Sequence, residues 1–186
     1  HDYLGMVMEH NRALKTVKIN MRKYIQETIE EFQEDEPEER LKVVNTPATN
    51  NLFKTRENVE ALSSRRAGIF HSTVAKLLFV AKRARPDILL AVSFMTTRVK
   101  KPDIDDWHKL IRVLSYLHGS MDITLTLVCD KIAKLSWYID GSYASHMDMK
   151  GQSGAVLSTG PCSVLFKFCK QKINTRSSTE TELIAV

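Results

Sequence analysis

Cysteine is scarce in this sequence: Cys129, Cys162 and Cys169 form an odd set of 3 with no C-x-x-C pair, which argues against a disulfide framework and against a thiolate zinc site. Reduced thiols are expected. Proline and glycine are also few, 5 and 7 in 186 residues, which excludes a collagen-like chain. With 43% hydrophobic residues the chain is not broadly disordered either. No apolar run approaches the roughly 20 residues of a membrane-spanning helix, and the opening segment, His1 to Lys15, lacks the layout of a signal peptide. Neither secretion nor membrane insertion is expected. What remains is a globular chain able to bury roughly 70% of its unfolded surface, as one domain or two small ones.

Charge is abundant but uneven. The formal balance is +5, from 27 basic and 22 acidic side chains. Eight of the acids (Glu27, Glu30, Glu31, Glu34, Asp35, Glu36, Glu38 and Glu39) crowd into thirteen consecutive positions, so elsewhere 27 basic side chains face 14 acidic ones. A basic body with one acidic segment suits a polyanionic partner such as nucleic acid. Residues 34–66, rich in charge, Asn and Thr with few periodic apolar positions, read as a solvated linker.

Either side of that segment the punctuation is clear. Leu4 to His10 and Thr16 to Met21 alternate loosely about a short polar stretch, as a β-hairpin does. Met21, Tyr24, Ile25, Ile29 or Thr28, and Phe32 recur at three and four, predicting an amphipathic helix that frays before Pro37. Helices are expected over 69–83, from Pro86 to Arg98, and from Pro102 to a stop at Gly119. Asp103, Asp105 and Asp106 suit the positive end of the last one, as caps rather than metal ligands. Beyond Gly119 the period falls to two, and segments near 123–128, 135–139, 154–158 and 164–168 predict an antiparallel meander, the last two joined by Ser158-Thr159-Gly160-Pro161. Ser177 to Glu182 opens a final helix with capping-box spacing. The chain starts at His1, not Met, and stops at Val186 inside that helix, so a longer parent is expected.

Chemistry concentrates in two places. Trp137-Tyr138-Ile139-Asp140-Gly141-Ser142 is an apolar strand whose end delivers a carboxylate into a turn, where Asp140 is either an Asx-turn residue or a ligand. Glu180 and Glu182 lie at a helix start, and either Ser177 with Glu180 or Thr179 with Glu182 fits the cap. If Ser177 caps, Glu182 falls one turn further in, beside residues that pack on the sheet, where an unpaired carboxylate would be costly without a cation. Glu182 is then the better partner for Asp140 around Mg²⁺, which takes few carboxylates plus water and phosphate oxygens. His146, His108 and Asp148 read as surface residues, and Trp107 and Tyr116 as core.

These residues carry a family resemblance. Asp140-Gly141-Ser142 after an apolar strand, a β-meander, and Ser178-Thr179-Glu180-Thr181-Glu182-Leu183 resemble the opening half of ribonuclease H. Arg85-Pro86-Asp87-Ile88, Pro102 with Trp107-His108, Leu114 through Tyr116-Leu117-His118-Gly119-Ser120, and Lys170-Gln171-Lys172 resemble copia-type long-terminal-repeat retrotransposon Pol polyproteins, from about residue 69 onward. The resemblance implies an α+β fold. Residues 1–34 would be a palm-exit, primer-grip-like hairpin and first helix, with Tyr3-Leu4-Gly5-Met6 on the first strand. Residues 35–66 would be the linker, 67–121 a helical thumb-like region, and 122–186 an incomplete ribonuclease H-like sheet with the start of its first helix.

It also implies a function for the parent: copying RNA into DNA and cleaving the RNA strand of RNA·DNA hybrids with two Mg²⁺ ions, in a virus-like particle in the cytoplasm, or in the nucleus. Asp140 and Glu182 match the family's first two catalytic carboxylates and metal ligands. Its third and fourth ligands would lie downstream of Val186, and no Tyr-x-Asp-Asp occurs in the chain. The chain alone is therefore expected to bind Mg²⁺ weakly, to cleave hybrids negligibly and not to polymerise. Its expected partners are the rest of the polyprotein and an RNA·DNA hybrid or other nucleic acid, but no membrane. Lys167, Lys170, Lys172, Arg176 and Arg85 are the candidate phosphate contacts, with Arg83, Arg98, Lys100 and Lys101 as further ones. The competing expectation is a non-catalytic nucleic-acid-binding relic or host-adopted remnant of such an element.

Overall fold

A computed structural model describes residues 2–128, 135–159 and 161–186. Cys129 and Gly160, the latter within the expected turn, lie outside the described residues. The architecture is α+β: an N-terminal sheet, a helical layer, a three-stranded antiparallel sheet and a C-terminal helix. The expected hairpin is formed by β2 (Met6–Asn11) and β3 (Thr16–Asn20), with the short β1 (Asp2–Tyr3) on its outer edge. β4 (Leu125–Val128) pairs antiparallel with β3, with Ile19 opposite Leu125. The expected four-strand meander therefore has three strands, because its first segment completes the N-terminal sheet.

The helical layer is α1 (Arg22–Asp35), α2 (Ser64–Arg83), α3 (Leu89–Thr96) and α4 (Ile104–Gly119). Ile25, Ile29 and Phe32 of α1 meet Phe70, Val74 and Leu77 of α2 and Leu110, Leu114 and Leu117 of α4 in one apolar core. Pro86 opens a 3₁₀ turn, Pro86–Ile88, that leads into α3. Asp103 and Asp106 close a capping box on α4, in keeping with the expected capping role of these acids, and Arg98 holds both carboxylates at 2.9 Å.

The segment after α1 lacks regular structure but is not merely solvated. Glu36 is 5% exposed, and its two oxygens receive Arg65 at 2.7 Å and Arg66 at 2.6 Å from the first turn of α2. The Trp107 indole N–H donates to Glu39 at 2.9 Å. Leu52 joins the core, so this acidic stretch is a strap tied down by ion pairs.

The C-terminal meander is β5 (Ser136–Ser142), β6 (Lys150–Ser158) and β7 (Ser163–Asn174), in that order across the sheet, followed by α5 (Ser178–Ala185). β7 docks on the helices: Phe166 and Phe168 pack against the core, and the Ser93 hydroxyl of α3 donates to the Phe168 carbonyl at 2.8 Å.

Candidate metal and nucleic-acid site

Asp140 sits within β5, not at its end. The strand runs on through Gly141, opposite Ser153, to Ser142, opposite Gln152. Successive side chains on a strand point to opposite faces, so Asp140 and Gly141 look different ways. Asp140 accepts the Gly141 N–H at 2.9 Å and lines a 410 Å³ cleft with Phe53, Tyr138, Gln152 and Phe168. Gly141 faces α5. A Cβ there would lie 2.8 Å from the Thr181 carbonyl oxygen and 3.2 Å from Glu182 Cα, so only glycine permits this approach.

The geometry of α5 resolves the capping alternatives. Ser177 is the N-cap, its hydroxyl accepts the Glu180 N–H at 3.2 Å, and Glu180 in turn accepts the Arg176 N–H at 2.7 Å. Glu180 is thus occupied at the helix start and Glu182 is left free of the cap. The expected burial of Glu182 is not observed. Thr181 is the fully buried residue of that turn, while Glu182 and Asp140 are both exposed. No desolvation penalty forces a cation between them. What the fold supplies is proximity, with the two carboxylate residues flanking the contact of Gly141 with Thr181.

The basic candidates divide. Lys167 and Lys170 border a 560 Å³ trough between β7 and the helices, where Lys82 joins them; nothing in the sequence marks Lys82, because a lysine in a helix's last turn reads as capping. Lys170 also pairs with Asp148 at 2.8 Å. Lys172 and Arg176 are exposed beyond the trough. Arg85 is not a phosphate contact: it is 1% exposed and its donors go to Asp87, at 2.7 Å, and to the Ser120 carbonyl, also at 2.7 Å. Burial works against the Asp87 charge, but the Arg85 fork and the Tyr116 hydroxyl outweigh it and hold the carboxyl below its usual range.

His146 is likewise not a surface residue. It is buried, stacked on Phe94 at 6.0 Å and edge-on to Phe53 at 5.1 Å, with Nε2 2.9 Å from Gln152 Oε1. It thereby joins the strap, the helical layer and the C-terminal sheet. Nothing in its polar neighbours in sequence signals this, since both aromatic partners lie far away along the chain. Burial lowers its pKa, and Lys170 adds to the effect while Gln152 and Asp148 oppose it; Arg98 lines a separate 220 Å³ cleft with His146, and Lys109 of α4 lies over Phe94 at 4.5 Å. The unfolded chain therefore takes up this proton first. The stabilisation is complete above the ordinary histidine pKa of about 6.5 and is lost as pH falls through it towards the lower folded value, with a slope of at most about 1.4 kcal/mol per pH unit. Urea unfolding from pH 7.5 down to 5 should show a loss that is smaller in His146→Phe; identical pH profiles would contradict the assignment.

The chain is 26% identical over 98% of its length to the retrovirus-related Pol polyprotein from transposon TNT 1-94 of Nicotiana tabacum. The chain is similar to retrotransposon Pol polyproteins. The same holds for transposon RE2 of Arabidopsis thaliana, 31% identical over 63% of the chain. The chain spans 14% of the first polyprotein and 8% of the second. It is also 28% identical over 62% of its length to the secreted RxLR effector protein 161 of Plasmopara viticola, covering 82% of that protein. No family model matches, and no solved structure matches.

Proposed function

We propose that the chain is a nucleic-acid-handling segment of a retrotransposon-type Pol polyprotein. Residues 1–34 act as a palm-exit hairpin and first helix, 35–66 as the strap, 67–121 as a thumb-like layer, and 122–186 as the first half of a ribonuclease H-like domain. The observation that supports this reading is the docking of α5 on Gly141, which brings the Glu182 backbone against the residue that follows Asp140. A strand-borne aspartate beside a helix-borne glutamate is a sparse, all-oxygen donor set. It fits Mg²⁺, which takes one or two carboxylates and completes its shell with water and phosphate oxygens. Among the described residues no third metal-ligating side chain makes a cluster with them. Asp140 and Glu182 would hold the ion, which when bound supplies an activated water and a polarised phosphate oxygen. Lys82, Lys167, Lys170, Lys172 and Arg176 would meet the backbone of an RNA·DNA hybrid. The parent polyprotein would then copy RNA into DNA and cleave the RNA strand of the hybrid, in a cytoplasmic particle or the nucleus.

A second reading, a non-catalytic nucleic-acid-binding remnant, is favoured by one observation. The Plasmopara viticola relative is short enough for this match to cover 82% of it. Both readings predict hybrid binding. Fluorescence anisotropy with a labelled RNA·DNA hybrid should give an affinity that falls at least about tenfold between roughly 50 and 200 mM salt. Lys82→Ala with Lys167→Ala should flatten the log–log slope by about one unit per lost phosphate contact. A salt-independent affinity would rule out phosphate contacts at the trough. Magnesium-dependent hybrid cleavage that Asp140→Asn abolishes would favour the nuclease over the remnant.

A further inference from the structure

Thr181, Gly141, Gly151 and Gln171 form a pin and its socket. Thr181 is fully buried at the start of α5, and its hydroxyl lies 3.0 Å from the Ser177 carbonyl and 2.5 Å from the Thr175 hydroxyl. The floor is two glycines on adjacent strands: a Cβ on Gly151 would come within 2.6 Å of Gln171 Oε1 and 2.9 Å of Thr181 Cγ2, and one on Gly141 within 2.8 Å of the Thr181 carbonyl oxygen. Gln171, 5% exposed on β7, spans the gap. Its Nε2 donates to the Thr181 carbonyl at 2.9 Å and to the Ser153 hydroxyl at 3.0 Å.

This arrangement is costly. Gln171 Oε1 is buried with no hydrogen-bond partner, and an orphaned buried acceptor calls for an explanation. An aliphatic side chain would avoid that cost. Turning the amide over would aim Oε1 at the Thr181 carbonyl oxygen and lose that bond, while the Ser153 hydroxyl can donate or accept either way, so the orientation is fixed by the carbonyl that Nε2 holds. What it holds is the peptide carbonyl immediately before Glu182, pressed on the glycine immediately after Asp140.

We propose that Gln171 is a positioning residue, clamping the first turn of α5 at Thr181 so that Glu182 stays against the Asp140-Gly141 segment of β5. The clamp itself stands on geometry alone; its consequence for a cation rests on the two-carboxylate site proposed above. Loss of an orienting partner outside a metal's ligands lowers affinity about 10–100-fold. The test compares wild type, Gln171→Leu and Gln171→Glu, the last nearly isosteric but with an oxygen facing the Thr181 carbonyl, by two measurements on the whole chain.

Mn²⁺ binding, followed by electron paramagnetic resonance, should weaken at least about tenfold in both variants. Backbone amide exchange at Thr181, whose N–H donates to the Ser177 carbonyl at 3.1 Å, should accelerate, while amides of α2 and α4 keep their protection. Unchanged Thr181 exchange and unchanged nuclear Overhauser contacts between Gly141 and Thr181 in both variants would overturn the clamp. Faster exchange in a protein whose Mn²⁺ affinity is unaffected by Asp140→Asn would keep the clamp and reject the metal site. Should Gln171→Leu fail to fold, Gln171→Glu carries both measurements.

Discussion

Replacing Arg85 with alanine is expected to lower the unfolding free energy by about 2–4 kcal/mol, because the buried guanidinium loses its charge-assisted hydrogen bonds and its packing. The guanidinium is a strut between two helix junctions. Nε and Nη2 grip Asp87 at 3.0 and 2.7 Å just after α2, and Nη1 and Nη2 reach the carbonyl and hydroxyl of Ser120, just past α4, at 2.7 and 2.8 Å. It also lies over the Tyr116 ring at 5.4 Å, whose hydroxyl donates to Asp87 at 2.8 Å. Alanine leaves a half-buried carboxylate, held charged by Arg85, without its fork. At about 2–4 °C per kcal/mol for a chain of this size, the melting temperature should fall by roughly 10 °C. Arg85→Lys should recover only part of this, since an ammonium cannot serve the forked geometry. A loss below about 1 kcal/mol would show the strut to be dispensable. Hybrid affinity of the folded Arg85→Lys protein should match wild type, in contrast to Lys167→Ala.

Trp107→Ala should cost a similar amount, about 3–5 kcal/mol. The indole is 1% exposed and is the hub where α1, the acidic strap, α2 and α4 meet. Phe32 packs on it at 5.4 Å, the Arg66 guanidinium lies 5.1 Å from the ring centre, and its N–H holds Glu39 at 2.9 Å. Truncation opens a large cavity and releases the strap. Trp107→Phe separates the two effects: it keeps most of the volume and loses only the Glu39 bond, about 1 kcal/mol. Denaturant unfolding of both variants, with limited proteolysis of residues 36–60, measures this. If Trp107→Phe were as damaging as Trp107→Ala, the polar bond and not the packing would hold the junction.

The parts of the fold legible in the sequence are those whose determinants are local. The three-and-four spacing of α1, Pro86 at the start of its turn, the Asp103–Asp106 box and the Ser177 cap all act within a few residues, and the structure contains each of them. What escaped depends on distant partners. Alternation marks 125–128 as a strand but cannot say that its neighbour is β3, more than a hundred residues earlier. Glu36 looks solvated in a run of acids until Arg65 and Arg66 arrive from the next helix. Arg85, like any arginine, reads as surface charge until its enclosure is seen.

At the candidate site the sequence gives the residue types and the helix register, but not the face that meets the sheet. Gly141 and Gly151 accept the Thr181 backbone and side chain, which turns Glu182 outward. Exposure at this pair is compatible with a cation shared with water and phosphate, and the site's dependence on Gln171 follows from the same docking.

The sharing of one cation by Asp140 and Glu182 is tested most directly by paramagnetic line broadening. A few per cent of Mn²⁺ added to the isotopically labelled chain should broaden the amides around Gly141 and around Glu182 together, and both effects should vanish in Asp140→Asn and in Glu182→Gln. Broadening confined to the acidic run at 27–39, or affecting one of the two positions without the other, would contradict it.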